Sequence, residues 1–264
     1  MNNLITNFEQ ILAMASDYGL PTDKKRGILR EYLQSKFLVY FYGLPASQKM
    51  SFVGGTSLRL LRGLDRFSED LDFDNLGLND EEVGELVESV AINFEKENIK
   101  IELKKNGSEG KTYFDLRFPE LLNELKISTD PREKLMIKFD YAKLWKEQMI
   151  EPILFNRYDM IVAVVTNNLN QIVVQKLAAY VGRKITQPRD IYDIVWLYAK
   201  GARIDKQFAK ANGYANIVEL AVEKQRQEGE LASYETKLKP FLFTDGSSGK
   251  LKLFEDVLRR IRVK

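Results

Sequence analysis

The chain has 264 residues, 44% of them apolar and 30% charged, with 40 basic against 38 acidic side chains and a net charge of +2. That is the make-up of a soluble globular protein long enough for one large or two small domains. There is no cysteine and no histidine, which excludes disulfides, cysteine nucleophiles, Ser-His-Asp triads and the usual zinc sites. Chemistry must therefore run on carboxylates, Lys, Arg, Ser/Thr, Tyr and bound cations, the set that metal-assisted phosphoryl transfer uses.

The near balance of charge removes any bulk electrostatic case for a nucleic-acid partner, so such binding needs a local basic surface. No apolar run approaches the ~20 residues of a membrane span, and the start Met1 to Glu9 lacks the basic and apolar regions of a signal peptide. A cytoplasmic protein without a membrane partner is expected.

In chain order, apolar residues at 4, 5, 8, 11, 12 and 15, ended by Gly19, predict an amphipathic helix over 4–18. A second helix is predicted over about 22–42, its aromatics Phe37, Tyr40, Phe41 and Tyr42 serving as core. Ser51-Phe52-Val53 then reads as a short buried strand, Gly54-Gly55 as a turn, and Thr56 to Leu64 as a helix with leucines at 58, 61 and 64. Two glycines let the backbone take unusual dihedrals and let a ligand come close. Thr56 and Ser57 fall at the helix start, where free N–H groups and the helix dipole favour an anion such as a phosphate.

Past Asp65-Arg66-Phe67-Ser68, the stretch Glu69-Asp-Leu-Asp-Phe73 alternates charged and apolar residues with the period of a strand. Asp70 and Asp72 share one face, about 6.6 Å apart by strand rise, a spacing suited to hard cations such as Mg2+ or Mn2+ that also take substrate phosphate oxygens. Taken alone, a Gly-Gly before a helix and an Asp-x-Asp on a strand edge are common; their order and spacing carry the signal. Asn79 with three acids behind it predicts a capped helix through residue 94. Alternation over 98–104 and 112–118 around Asn106-Gly-Ser-Glu-Gly110 predicts a β-hairpin.

Glu133 to Tyr141 alternates as a strand and puts Asp140 on the polar face beside Lys138. Asp140 is either a third active carboxylate or a solvated residue paired with Lys138 or Lys143. Short strands at 153–155 and 160–165 complete an α+β lobe, and from Thr166 the pattern is helical. Helices are predicted over 169–182, from Pro188 at its favoured first turn, near 215–228 and over 249–262, with a flexible loop at 245–249. The last helix is basic, with Lys250, Lys252, Arg259, Arg260, Arg262 and Lys264, and serves either as a solvated face or as a phosphate grip.

The block Gly54-Gly-Thr-Ser-Leu-Arg59 with Arg66-Phe-Ser-Glu-Asp-Leu-Asp-Phe73 resembles the signature of the polymerase-β-like nucleotidyltransferases, and more narrowly the AbiEii/AbiGii nucleotidyltransferase toxins of abortive-infection and toxin–antitoxin systems. A second block, Lys176-Leu-Ala-Ala179 followed by Arg189-Asp-Ile-Tyr-Asp-Ile194, resembles the same family. The resemblance implies an α+β polymerase-β-like core, a mixed sheet with flanking helices over residues 1–165, and a C-terminal helical lobe over 166–264, with the active cleft between. It implies Mg2+ or Mn2+ on Asp70, Asp72 and Asp140, and an NTP substrate held by Gly55, Thr56, Ser57, Arg66 and Arg183. Lys176 would neutralise the triphosphate, and Asp193, with Asp190 and Arg189, would shape the nucleotide side; an Asp–Arg network pinning two helices is the structural alternative. An RNA acceptor, such as a tRNA 3′ end, and a neighbouring antitoxin follow from the family. Transfer to a small molecule or a protein hydroxyl, and a non-catalytic nucleotide-binding module, are the other readings; the cost of clustering like charges speaks against the last.

Overall fold

A computed structural model describes residues 3–108, 111–228 and 232–261. The chain divides into two compact units, one of residues 1–63, 67–143 and 152–166, the other of 64–66, 144–151 and 167–264.

The first unit opens with α1 (Asn3–Thr6), α2 (Phe8–Asp17) and α3 (Lys25–Tyr42), so the single helix expected over 4–18 is broken at Asn7. There follow β1 (Met50–Val53), α4 (Gly54–Arg62), β2 (Leu71–Asn75) and α5 (Asp80–Lys96). Helix α4 stops at Gly63, whose φ of 78° closes the C-terminus as only glycine does cheaply. At the start of α5, the Asn79 side chain accepts from the Glu81 and Glu82 N–H groups while Glu82 reaches back to the Asn79 N–H, a complete capping box. The unit continues with β3 (Glu102–Ser108), β4 (Lys111–Phe118), α6 (Leu121–Glu124) and β5 (Leu135–Ala142). The expected hairpin is present, but Ile99 precedes β3 and is buried behind α5, its N–H bonded to the Phe94 carbonyl. Of its expected loop, Glu109 and Gly110 lie outside the described residues.

Five strands form a mixed sheet in the order β1-β2-β5-β4-β3, with β2 and β5 parallel and the other neighbours antiparallel. Its two faces differ as the period-2 alternation demands. On one, Phe73 and Phe139 meet Phe37 and Phe41 of α3, and Phe52 packs against Phe73; Phe73 and Phe139 have ring centroids 4.9 Å apart, and Phe41 and Phe73 5.0 Å. The other face carries Asp72, Asp74, Lys138, Asp140, Tyr113 and Asp115.

Strands β6 (Ile150–Arg157) and β7 (Met160–Asn167) pair in a separate two-stranded sheet rather than extending the main one. They turn at Tyr158-Asp159, both at positive φ (52° and 57°), which matches the twist a two-residue hairpin loop needs.

The second unit is built from α7 (Leu169–Gly182), α8 (Pro188–Ala199), α9 (Lys206–Ala211), α10 (Ile217–Glu228), α11 (Ala232–Leu238) and α12 (Phe254–Ile261). Asn168 caps α7 by accepting from the Gln171 N–H at 3.0 Å. The Gln171 side chain accepts from the Met149 N–H and donates to the Glu147 carbonyl, which fastens segment 144–151 to α7. The basic terminal helix is shorter than the pattern suggested. Residues 245–253, including the expected loop, form 3₁₀ turns before α12, and Arg262 and Lys264 lie outside the described residues.

Phe73 sits in the aromatic core directly between Asp72 and Asp74, so its loss should be felt as lost packing under the polar face. Phe73→Ala is predicted to cost about 3–5 kcal/mol, read as a lower urea midpoint with little change in slope. A variant within 1 kcal/mol of the parent contradicts this packing.

Candidate active site

The polar face of the sheet is organised by one close approach. Gly54 has φ 74°, and a β-carbon placed there would lie 2.1 Å from Asp72 Oδ2 and 2.8 Å from its Cγ. Only glycine satisfies both the dihedral and the space. The Asp72 carboxylate thus lies against the first turn of α4, whose preceding residue Val53 supplies no side-chain cap. Gly55, Thr56 and Ser57 occupy that turn and are buried. The Thr56 hydroxyl donates to the Asp70 carbonyl and the Ser57 hydroxyl to the Gly54 carbonyl at 3.1 Å. Both hydroxyls are spent on backbone, so the anion-binding capacity of this turn rests on backbone N–H groups and the helix dipole. The Thr56 bond also ties the glycine turn to the residue that leads into β2.

Pairing register places the acids. Asp72 lies opposite Val53 on one side and opposite Asp140 on the other, and Asp140 lies opposite Tyr113. Neighbouring strands are about 4.8 Å apart, so Asp72 and Asp140 are adjacent on one face; Asp70 precedes β2, and its charge reaches Lys138 on that face. Lys138 Nζ donates to Asp140 Oδ2 at 2.6 Å and stands 4.2 Å from the centre of the Tyr113 ring. Burial works against the Lys138 charge, but the hydrogen bond and charge of Asp140, with the charge of Asp70 adding, raise its pKa above the ordinary lysine value. The carboxylates thus already draw a cation to themselves. Among the described residues no three acidic side chains stand close enough to hold a metal ion on their own, and Asp140 is engaged by Lys138; an ion here would have to complete its shell with phosphate oxygens and water.

Of the remaining residues singled out in the sequence, Arg66, Lys176, Arg183, Asp190 and Asp193 lie in the second unit, where they form a chain of ion pairs. Arg66 grips Asp193 with two parallel bonds of 2.7 Å, Nε to Oδ1 and Nη2 to Oδ2, with both side chains fully buried. Lys176 Nζ stands 2.8 Å from Asp193 Oδ2 and 3.7 Å from Asp190 Oδ1, and Arg183 Nε stands 2.8 Å from Asp190 Oδ2. Beside this chain, Asp65 accepts from the Tyr192 hydroxyl at 2.9 Å and from Lys250. Burial alone would raise the Asp193 pKa, but the charges of Arg66 and Lys176 outweigh it and hold the carboxyl below its usual range.

Asp74 and Tyr113 on the polar face were not singled out in the sequence, whereas the pairing of Lys138 with Asp140 was one of the two expectations. Asp74 continues the alternation of Asp70 and Asp72, so its face was readable; for Tyr113 only the strand register reveals the neighbourhood.

Asp193→Asn should leave the Arg66 charge buried without its bidentate partner and lower stability by about 3–5 kcal/mol at neutral pH. Because the folded pKa of Asp193 is depressed, its contribution is complete above the unfolded carboxylate value near 4 and fades as pH falls through the folded value. The gap between parent and variant in urea unfolding should therefore be widest at neutral pH and narrow in acid; a gap independent of pH contradicts the ion-pair account.

Comparison with known proteins gives the family and the fold. Residues 36–258 match the family described as nucleotidyl transferase AbiEii toxin, type IV toxin–antitoxin system. No curated protein matches the chain. Among solved structures, JHP933 from Helicobacter pylori superposes with a TM-score of 0.55 at 18% identity, covering 89% of this chain and 91% of that one. A second H. pylori protein, provisionally assigned as a nucleotidyltransferase, superposes with a TM-score of 0.53 at 18% identity, covering 90% and 98%. These two likenesses establish the shared fold, a mixed sheet with flanking helices. With the family match running through both the glycine turn with its carboxylates and the ion-paired helices, the chain belongs to the AbiEii family of nucleotidyltransferase toxins of type IV toxin–antitoxin systems.

Proposed function

We propose that this nucleotidyltransferase moves a nucleoside monophosphate from an NTP to a hydroxyl of RNA, such as a tRNA 3′ end, and that a cognate antitoxin restrains it in the cell. The observation that carries the reading is the approach of Asp72 to Gly54, which sets a carboxylate strand against an uncapped helix start. Backbone N–H groups of Gly55, Thr56 and Ser57 receive the terminal phosphates there. A divalent cation, Mg2+ or Mn2+, is assigned to Asp70 and Asp72, with Asp140 joining once it leaves Lys138; it would supply charge neutralisation at the α-phosphate and a more acidic acceptor hydroxyl.

Positive charge for the triphosphate is assigned to Lys176 and Arg183. Arg66 already satisfies Asp193 through two bonds, so Lys176 can turn to a phosphate without leaving that carboxylate uncompensated, while Arg183 keeps its Nε on buried Asp190 and offers its other N–H groups. Arg66 and Asp193, fully buried against each other, are assigned to holding Lys176 and the 64–66 segment in place. The lobes that carry these parts are taken as residues 1–165 and 166–264.

The test is incubation of the pure protein with each labelled NTP, magnesium and total cellular RNA. Label should enter RNA, and Asp70→Asn or Asp72→Asn should each reduce transfer at least about a hundredfold, given the several kcal/mol a metal contributes. Neither change should lower the thermal midpoint of metal-free protein, because each relieves like-charge crowding. Full activity in the Asn variants would remove the metal assignment. Label on protein or on a small molecule would remove RNA as acceptor.

Salt gives an independent reading. For about four phosphate contacts to a single strand, affinity should fall with roughly the third power of salt concentration. Initial rates at subsaturating RNA, with NTP and magnesium saturating, should follow that slope; a flat response contradicts an RNA acceptor.

A further inference from the structure

In-line displacement at phosphorus places the entering hydroxyl and the leaving pyrophosphate on opposite sides of the atom transferred. The sheet order then assigns the two sides. The anion-binding turn follows β1, on one flank of β2, so a triphosphate tail directed to it leaves the opposite flank, β5-β4-β3, to the acceptor. Along that flank the register row from Asp72 runs through Asp140 to Tyr113 and then Asn106. Tyr113 is one strand beyond Asp140 and about 10 Å from Asp72 at two strand spacings.

We propose that Tyr113 is the stacking platform for the terminal base of a single-stranded RNA acceptor. This deepens the reading above and rests on it. Four observations converge. The ring is half-buried on the polar face, in register with the outermost acid. Lys138 lies over it at 4.2 Å, so its π-face is presented to the polar side and accepts a flat or cationic partner. Lys138 is held at this place by its 2.6 Å bond to Asp140, so a stacking base would take the place of its ammonium on the ring. Next to this row, exposed Lys104 pairs in register with Asp115, and Arg117 adds a guanidinium bonded to Asp115 at 2.9 Å. An aromatic ring with neighbouring Lys and Arg is the combination that receives a single strand through base stacking and phosphate contact. A small polar acceptor would make no use of the ring.

The experiment uses the full-length protein and a short single-stranded RNA carrying 2-aminopurine as its 3′-terminal base. Binding should quench the fluorescence, since stacking on an aromatic ring quenches this base. Tyr113→Ala and Tyr113→Leu, the latter keeping side-chain bulk without a flat ring, should both lose the quench. They should also raise Kd and KM for RNA about 5- to 100-fold, the size expected for one lost base–aromatic stack, with KM for NTP unchanged. Tyr113→Phe should restore the quench. Equal quenching and equal KM in parent, Ala and Leu variants, with RNA still labelled by the parent, would overturn the platform alone and leave the proposed function standing. A parent that neither quenches nor labels RNA would overturn both.

Discussion

The carboxylate of Asp72 lies where a β-carbon on residue 54 would have to be, and much of the candidate site follows from that contact. It requires glycine at position 54, with its positive φ, and it brings an acidic strand alongside the beginning of a helix that offers backbone N–H groups. These two features would bind opposite partners, a cation and a phosphate, and their closeness suits a nucleotide whose phosphates carry a cation. The Thr56 hydroxyl on the Asp70 carbonyl holds the two parts in register. Beneath them Phe73 anchors β2 in the aromatic core shared with α3, so the packing of one face fixes the chemistry of the other.

In a chain without cysteine or histidine, charged groups do both structural and chemical work, and the second unit shows how they are divided. Fully buried ions demand partners, and the Arg66–Asp193 pair supplies them with bidentate geometry. Lys176 is the less committed member, bound to Asp193 by one contact and farther from Asp190. Arg183 is held by Asp190 but its side chain remains partly exposed. The Arg66 end of the chain is fully buried, and the Arg183 end reaches solvent. Segment 64–66, which leads toward the carboxylate strand, is tied down at Arg66 by Asp193 and at Asp65 by Tyr192 and Lys250.

Local patterns in the sequence carried what is local in the fold. The strand and helix on either side of Gly54, the alternation through Asp72, the capped start of α5, and the Pro188 start of α8 all depend on neighbours within a few residues and were readable, although Gly54 and Gly55 begin α4 instead of forming a separate turn and Asp70 precedes the strand. The family resemblance rested on those same stretches. Pairings across long separations were not readable: Arg66 meets Asp193 127 positions away, and no periodicity announces it, so an Asp–Arg network was foreseen without its true partners. Lys138 was foreseen as one possible partner of Asp140, because two alternate residues of one strand share a face. Tyr113 was passed over, because strand alternation states which face a residue takes but not which strand lies beside it. The break at Asn7 and the 3₁₀ turns over 245–253 were likewise missed, since apolar spacing does not distinguish a helix from a chain of short turns.

The most direct test of the account is the position of metal and nucleotide in crystals grown with Mn2+ and a non-hydrolysable NTP analogue. The anomalous manganese signal is expected beside Asp70 and Asp72, with the phosphates at the N–H groups of Gly55 to Ser57. Manganese and triphosphate found elsewhere on the protein, with the Gly54–Asp72 surface bare, would contradict it.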